Sequence, residues 1–309
     1  MRISAGLTAL CLISVACGAR TLAPTPPLHA SEPSPALSPT ASAPPIVSPS
    51  PPQRIVFLPP PNAPLPRQPG PVAHGLAKVT RAVRESIRHW LQQGGPLAKP
   101  PRRVVLQALF QQRIYRLLMR DPRLARRVVR LLPSSLRGSA IANVEAGSKL
   151  LSLVTPIKTP AAFETGPPEP AGLLLRWLKQ AGRRFGVAWE VLAAVMYVES
   201  KFGRVKAVST AGAQGPMQFL PSTWARYGLG GDVRDPHDAI LGAANYLRAS
   251  GAPGDYRGAL YAYNHAAAYV DGVLLYANEM RKEERSFFAY YNWQVFVVTT
   301  KGDKRLTGP

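Results

Sequence analysis

The stretch VLAAVMYVESKFG, residues 191–203, is almost wholly apolar up to Val198 and then presents a glutamate. At helical spacing Leu192, Val195, Met196 and Glu199 fall on one stripe, at i−7, i−4, i−3 and i. The pattern predicts a helix whose last turn holds Glu199, with Lys201, Phe202 and Gly203 as its exit. A carboxylate on such a stripe is costly to ionise, because desolvation favours the neutral form and raises its pKa. The negative end of the helix dipole pushes the same way. An acid still protonated near neutral pH is what general acid catalysis requires. The helix alone leaves a second reading open, a glutamate at a helix end that swings out to water.

The neighbouring sequence is helical as well. In PAGLLLRWLKQAGRRFG the residues Leu174, Trp177, Leu178, Ala181 and Phe185 are in phase. STAGAQGPMQFLPSTW reads as a glycine-punctuated loop ahead of a short helix at 221–227. Asp235–Pro236 and Asp255 read as helix starts, and a last helix is expected over 268–281. Strand signals are confined to NWQVFVVTT near the C-terminus, and no internal repeat is visible.

Three ordered motifs, Glu199–Ser200 followed by Ser209, GAQGPMQF at 212–219, and Ala262–Tyr263–Asn264, together resemble the soluble lytic transglycosylase (SLT) family. The wording of QGPMQFLPSTW and DPHDAILGAANYLRASGAP is closest to actinobacterial-type members. The resemblance implies an all-α, goose-type lysozyme-like catalytic domain over 170–282 that cleaves the glycan strands of peptidoglycan. It implies that Glu199 is the sole catalytic acid/base, and that Ser209 sits near the reacting sugar. Met217 (through its backbone) and Gln218 would hold the glycan, and Tyr263 and Asn264 would line the cleft. Ser200 would fix the turn after the helix. Pro216 stands where leucine is commoner and removes one backbone N–H from the loop.

Ordinary glycosidases pair two carboxyl groups across the scissile bond. No second carboxylate stands out here: Asp235 and Asp255 read as caps, and Glu190 lies nine residues before Glu199, on a different part of the helix surface. A lone acid suffices if the sugar's own C6 hydroxyl closes a 1,6-anhydro ring. A hydrolytic muramidase on the same fold, with Asp232 as the first suspect for a second acid, stays open as an alternative. So does a wall-binding protein without activity. No cofactor or metal is expected. Asp232, Asp235 and Asp238 have carboxylate spacing, but the stretch lacks the length and closing glutamate of an EF-hand loop. Tyr197, Phe202, Phe219, Trp224, Tyr261 and Tyr269 are read mainly as core, with one or two reaching the cleft as sugar-stacking walls.

Upstream, a basic helical region is expected over 76–155. Residues 75–132 carry fourteen Lys or Arg against Glu85 and Asp121. Arg113, Arg116 and Arg120 lie mostly off the apolar stripe of their helix, so they read either as a solvated face or as a surface for anionic cell-wall polymers. A C-terminal aromatic extension is expected over 283–309.

The N-terminus sets the compartment. Met1 and Arg2 precede ISAGLTALCLISVA and then Cys17, a signal-peptide pattern too short for a comfortable membrane span. SVAC followed by Gly18 resembles a lipoprotein processing site, with Cys17 as the lipidated residue and the membrane as a partner through that anchor; plain secretion is the alternative. Cys11 would leave with the signal, so the exported chain keeps one thiol and no internal disulfide. Residues 18–75 are rich in Pro, Ala and Ser, with eighteen of the 33 prolines between Pro24 and Pro71. This composition predicts a disordered, partly polyproline-II tether. The net charge of +21 calls for a polyanionic neighbour. Export argues against nucleic acid and leaves peptidoglycan, anionic wall polymers and lipid head groups. The expected location is the cell envelope, on the outer face of the cytoplasmic membrane.

Overall fold

Proline and aspartate at helix starts set much of the element order. The computed structural model describes residues 57–158 and 163–309. Cys17, the expected export signal and most of the expected tether lie outside the described residues. Among the described residues eleven helices and a hairpin follow one another: α1 Pro69–Gln93, α2 Arg102–Arg120, α3 Pro122–Leu131, α4 Ser134–Leu151, α5 Ala171–Phe185, α6 Trp189–Ser200, α7 Pro221–Tyr227, α8 Pro236–Ala249, α9 Tyr256–Tyr263, α10 Ala267–Lys282, α11 Arg285–Tyr291, β1 Phe296–Thr299 and β2 Gly302–Arg305. The expected all-α class is what these residues adopt, with one short antiparallel hairpin added.

The starts have local causes. Asp121, Asp235 and Asp255 each accept backbone N–H groups of the turn they open, from Leu124 at 2.9 Å, from His237 and Asp238 at 2.8 and 3.0 Å, and from Gly258 at 2.8 Å. Pro69, Pro122, Pro221 and Pro236 occupy first-turn positions, where the missing N–H costs nothing. Gly186, at φ 67°, closes α5 in the left-handed region.

The boundaries expected from composition do not hold at 75. Helix α1 begins at Pro69, and residues before it pack on α2. Phe57 meets Phe110 at 5.7 Å between ring centres, and its carbonyl accepts from Gln107 at 2.7 Å. Arg113 donates to the carbonyls of Pro61 and Ala63 at 3.2 and 2.7 Å. A proline-rich stretch offers few N–H donors but every carbonyl, so a guanidinium is a natural partner for it. Arg113 thus serves the protein's own chain. Arg116 and Arg120 both pair with Asp303 of β2. Arg123, Arg126, Arg127 and Arg130 of α3 are exposed.

The basic helical region and the catalytic region were expected as separate domains, yet they share one core. Helix α10 packs on α4 from the first and on α6 from the second. The C-terminal extension belongs to that core too. Tyr290 and Trp293 stack around Tyr197 of α6 at 5.4 and 6.0 Å, and Phe287 meets Phe202 at 5.1 Å. An aromatic wall contributed by residues after 282 therefore backs the Glu199 helix. Among the described residues no helix is long and apolar enough to cross a membrane.

Candidate active site

Leu192, Val195 and Met196 are fully buried, as their stripe requires. Each contributes about 1.5–3 kcal/mol of burial energy, which holds α6 in place whatever Glu199 does. The helix ends where the sequence predicts. Lys201, Phe202 and Gly203 take successive left-handed conformations at φ 53, 59 and 80°, so the chain turns away within three residues. Ser200 fixes this turn: its Oγ accepts from the Gly203 N–H at 2.8 Å and donates to the Pro216 carbonyl at 2.5 Å. One hydroxyl thereby ties the end of α6 to the glycine-rich loop.

Glu199 is 8% exposed. Its Oε1 accepts the Tyr269 hydroxyl at 2.7 Å. Burial pushes the carboxyl up to about 7; the Tyr269 hydrogen bond and the Lys201 charge pull the other way without undoing it. Burial, together with the Glu199 charge, pushes the Tyr269 phenol well above its ordinary value, so this tyrosine is a donor at any physiological pH.

The loop that faces the end of α6 is held by its own backbone. Gly215 has φ 72°, and a Cβ there would lie 1.8 Å from the Val233 carbonyl oxygen, so no other residue fits. Gln214 and Phe219 exchange backbone hydrogen bonds, 2.9 Å each, across a tight turn. Gln218 sits at φ 51°, its Nε2 donates to the Gly215 carbonyl at 2.9 Å, and its buried Oε1 has no hydrogen-bond partner. Met217 is fully buried, and its carbonyl accepts the Tyr263 hydroxyl at 2.6 Å. The Glu199 charge reaches the Tyr263 phenol and raises its pKa, after burial as the larger cause.

The candidate residues divide accordingly. Glu199, Met217, Gln218 and Tyr263 are drawn around the end of α6 by the Ser200 and Tyr263 hydrogen bonds. Tyr263 and Asn264 also end α9, and Asn264 is a buried cap whose N–H donates to Leu260 at 3.0 Å. Ser209 is buried and braces its own loop, accepting from the Ala213 N–H at 2.9 Å. Of the six aromatics read as core or sugar-stacking walls, Tyr197, Phe202, Phe219 and Tyr269 are buried, Trp224 is half-buried, and Tyr261 is exposed. The role of Tyr269 escaped sequence reading, because it depends on a hydrogen bond between residues 70 positions apart. Its only local sign is a polar tip on the apolar face of α10.

Glu199 also lines a cavity of about 110 Å³, together with residues of α2, α4 and the C-terminal segment. It is the only carboxylate on that lining. Asp232 is engaged elsewhere, its Oδ1 accepting from the Arg234 N–H at 2.8 Å. Asp235, His237 and Asp238 could bring ligand atoms within 4.8 Å of one another. The Asp235 carboxylate, however, is occupied by helix-start N–H groups, and Asp238 accepts from Asp232 at 3.0 Å. This arrangement matches the capping role expected of it.

Residues 176–286 match the family model described as Transglycosylase SLT domain. The matched span lies close to the 170–282 expected from the motifs. It is similar to "Membrane-bound lytic murein transglycosylase F 1" of Alkalilimnicola ehrlichii, 35% identical over 71 residues, which cover 23% of this chain and 14% of that protein. The chain thus spans only a small part of the length of this curated relative. No solved structure matches.

Proposed function

We propose that this chain cleaves the β-1,4 bond between N-acetylmuramic acid and N-acetylglucosamine in peptidoglycan by lytic transglycosylation. Glu199 is the acid and then the base. As the acid it protonates the glycosidic oxygen, while the 2-acetamido oxygen of the muramic ring steadies the developing cation. As the base it takes the proton of the C6 hydroxyl, which closes a 1,6-anhydro ring; no water is consumed. Tyr269 holds the carboxyl through Oε1. The Met217 backbone and Gln218, whose Oε1 is an unclaimed acceptor, hold the glycan, with Ser209, Tyr263 and Asn264 supporting the cleft.

The observation that carries this reading is a single buried carboxyl, raised to about 7, on a cavity with no second carboxylate. A lone acid that is half protonated at neutral pH can give and take one proton in turn. The matched domain and the murein transglycosylase relative point to the same substrate. The setting proposed for it is the cell envelope, with Cys17 as a lipid anchor and the exposed arginines of α3 facing anionic wall polymers.

Digestion of purified peptidoglycan, followed by mass spectrometry of the muropeptides, tests the reading. Anhydro products, lighter by one water than hydrolysed ones, are expected. Reducing-end products alone would assign a muramidase, and undigested wall would leave a binding protein.

A further inference from the structure

We propose that Lys201 is a positioning residue for the acid/base: its ammonium, folded back over the end of α6, stabilises the carboxylate that Glu199 becomes between giving one proton and taking the next. This rests on the reading above and deepens it. After protonating the glycosidic oxygen, Glu199 is a buried carboxylate at the negative end of a helix, with the Tyr269 phenol donating to Oε1. Burial and the helix dipole both penalise that charge, and a nearby cation offsets them.

Lys201 is placed to be that cation. It lies two residues past Glu199 at φ 53°. Its backbone N–H and its Nζ both donate to the Tyr197 carbonyl, at 3.1 and 3.0 Å, so the side chain doubles back along the helix end. Nζ also lies 4.2 Å from the Tyr197 ring centre. Lys201 and Glu199 line the same cavity.

The other groups around Lys201 are paired or neutral. Arg116 and Arg120 of α2 both pair with Asp303 of β2. Arg204, on the exit from α6, donates to the Lys201 carbonyl at 3.1 Å and lies over the Tyr291 ring. Helices α9 and α10 bring phenols, Tyr263, Tyr269 and Tyr276, which burial keeps neutral. Among the described residues Lys201 has no ion pair of its own, which leaves its charge to act on Glu199. Burial and then the Arg116 charge push the ammonium down to about 7, with Glu199 opposing the shift and Arg204 adding to it. Burial raises the Glu199 carboxyl, and the Tyr269 hydrogen bond and then the Lys201 charge work against that. Each ionised form therefore holds the other, and the ammonium is held most firmly when Glu199 has just lost its proton.

Two substitutions separate charge from bracing. Lys201→Gln keeps a donor for the Tyr197 carbonyl and removes the charge, whereas Lys201→Arg keeps the charge. The measurements are infrared titration of the Glu199 carboxyl, and kcat and KM on purified peptidoglycan. In Lys201→Gln the carboxyl midpoint should rise from about 7 by about one pH unit, the low end for loss of a nearby opposite charge. Its kcat at pH 7 should fall about three- to tenfold with KM unchanged. Lys201→Arg should stay near the parent in both. An unmoved midpoint in Lys201→Gln overturns the proposal. So do equal losses of kcat in the two variants, because Lys201 would then only brace the helix end. The midpoint is read without substrate, so the two readings fail separately: a parent that leaves wall undigested removes the reaction, whatever the midpoint does.

Discussion

The C-terminal end of α6 and the N-terminal ends of α8 and α9 each carry an acidic residue, and the contrast between them is physical. Asp235 and Asp255 lie where unsatisfied N–H groups and the positive end of the helix dipole meet an ionised carboxylate, and each accepts backbone hydrogen bonds there. Glu199 lies at the opposite end of its helix, buried, with a phenol as its hydrogen-bond donor. The first arrangement stabilises charge and fold together. The second penalises charge and makes a proton available. Helix polarity and burial, rather than residue type, separate a cap from an acid.

Substitutions at the two kinds of site should therefore fail in different ways. Glu199→Gln should lower the rate of wall digestion by about 10²–10⁴-fold, the range attributed to a positioned acid or base. Retention of the parent rate would break the contrast outright. The same substitution should change stability with a sign set by pH. The carboxyl titrates at about 7 in the fold, whereas an unfolded glutamate titrates near 4.3. Between those values the folded state holds the extra proton, so the parent loses stability as pH rises from about 4.3 through 7. Glu199→Gln avoids this loss. It should be more stable than the parent by about 1–3 kcal/mol at pH 8 and indistinguishable from it at pH 4, as read from denaturant midpoints.

Tyr269→Phe removes the hydrogen bond that partly offsets burial. The carboxyl should then hold its proton to higher pH, so the alkaline limb of the pH–rate profile moves up while kcat falls roughly tenfold. A fall in kcat without movement of that limb would mean that Tyr269 only packs. Asp235→Ala should produce the smallest effect: a loss of about 1 kcal/mol, seen as a melting temperature roughly 2–4 °C lower, with kcat unchanged. A large loss of activity there would mean that this carboxylate does more than cap.

Much of this was legible in the sequence because it is local. The apolar stripe leading to Glu199, the Asp–Pro start of α8 and the helix at 221–227 need only nearby residues, and the structure reproduces them. The three motifs located the loop and the Tyr263–Asn264 pair. What stayed hidden depends on long-range contacts. Tyr269 meets Glu199 across 70 positions, Asp303 neutralises Arg116 from 187 positions away, and Gln107 and Arg113 anchor carbonyls of a proline-rich stretch that composition assigned to a tether. The core shared by the two regions was hidden for the same reason, since α4 and α10 pack on each other without any local sign of it.

Burial keeps Glu199 protonated to near neutrality. Infrared difference titration of the Glu199 carboxyl, assigned by its loss in Glu199→Gln, measures this directly. A protonated carboxyl band that disappears with a midpoint near pH 7 is expected from its burial. A midpoint near 4.3, the value of a solvated glutamate, would contradict it.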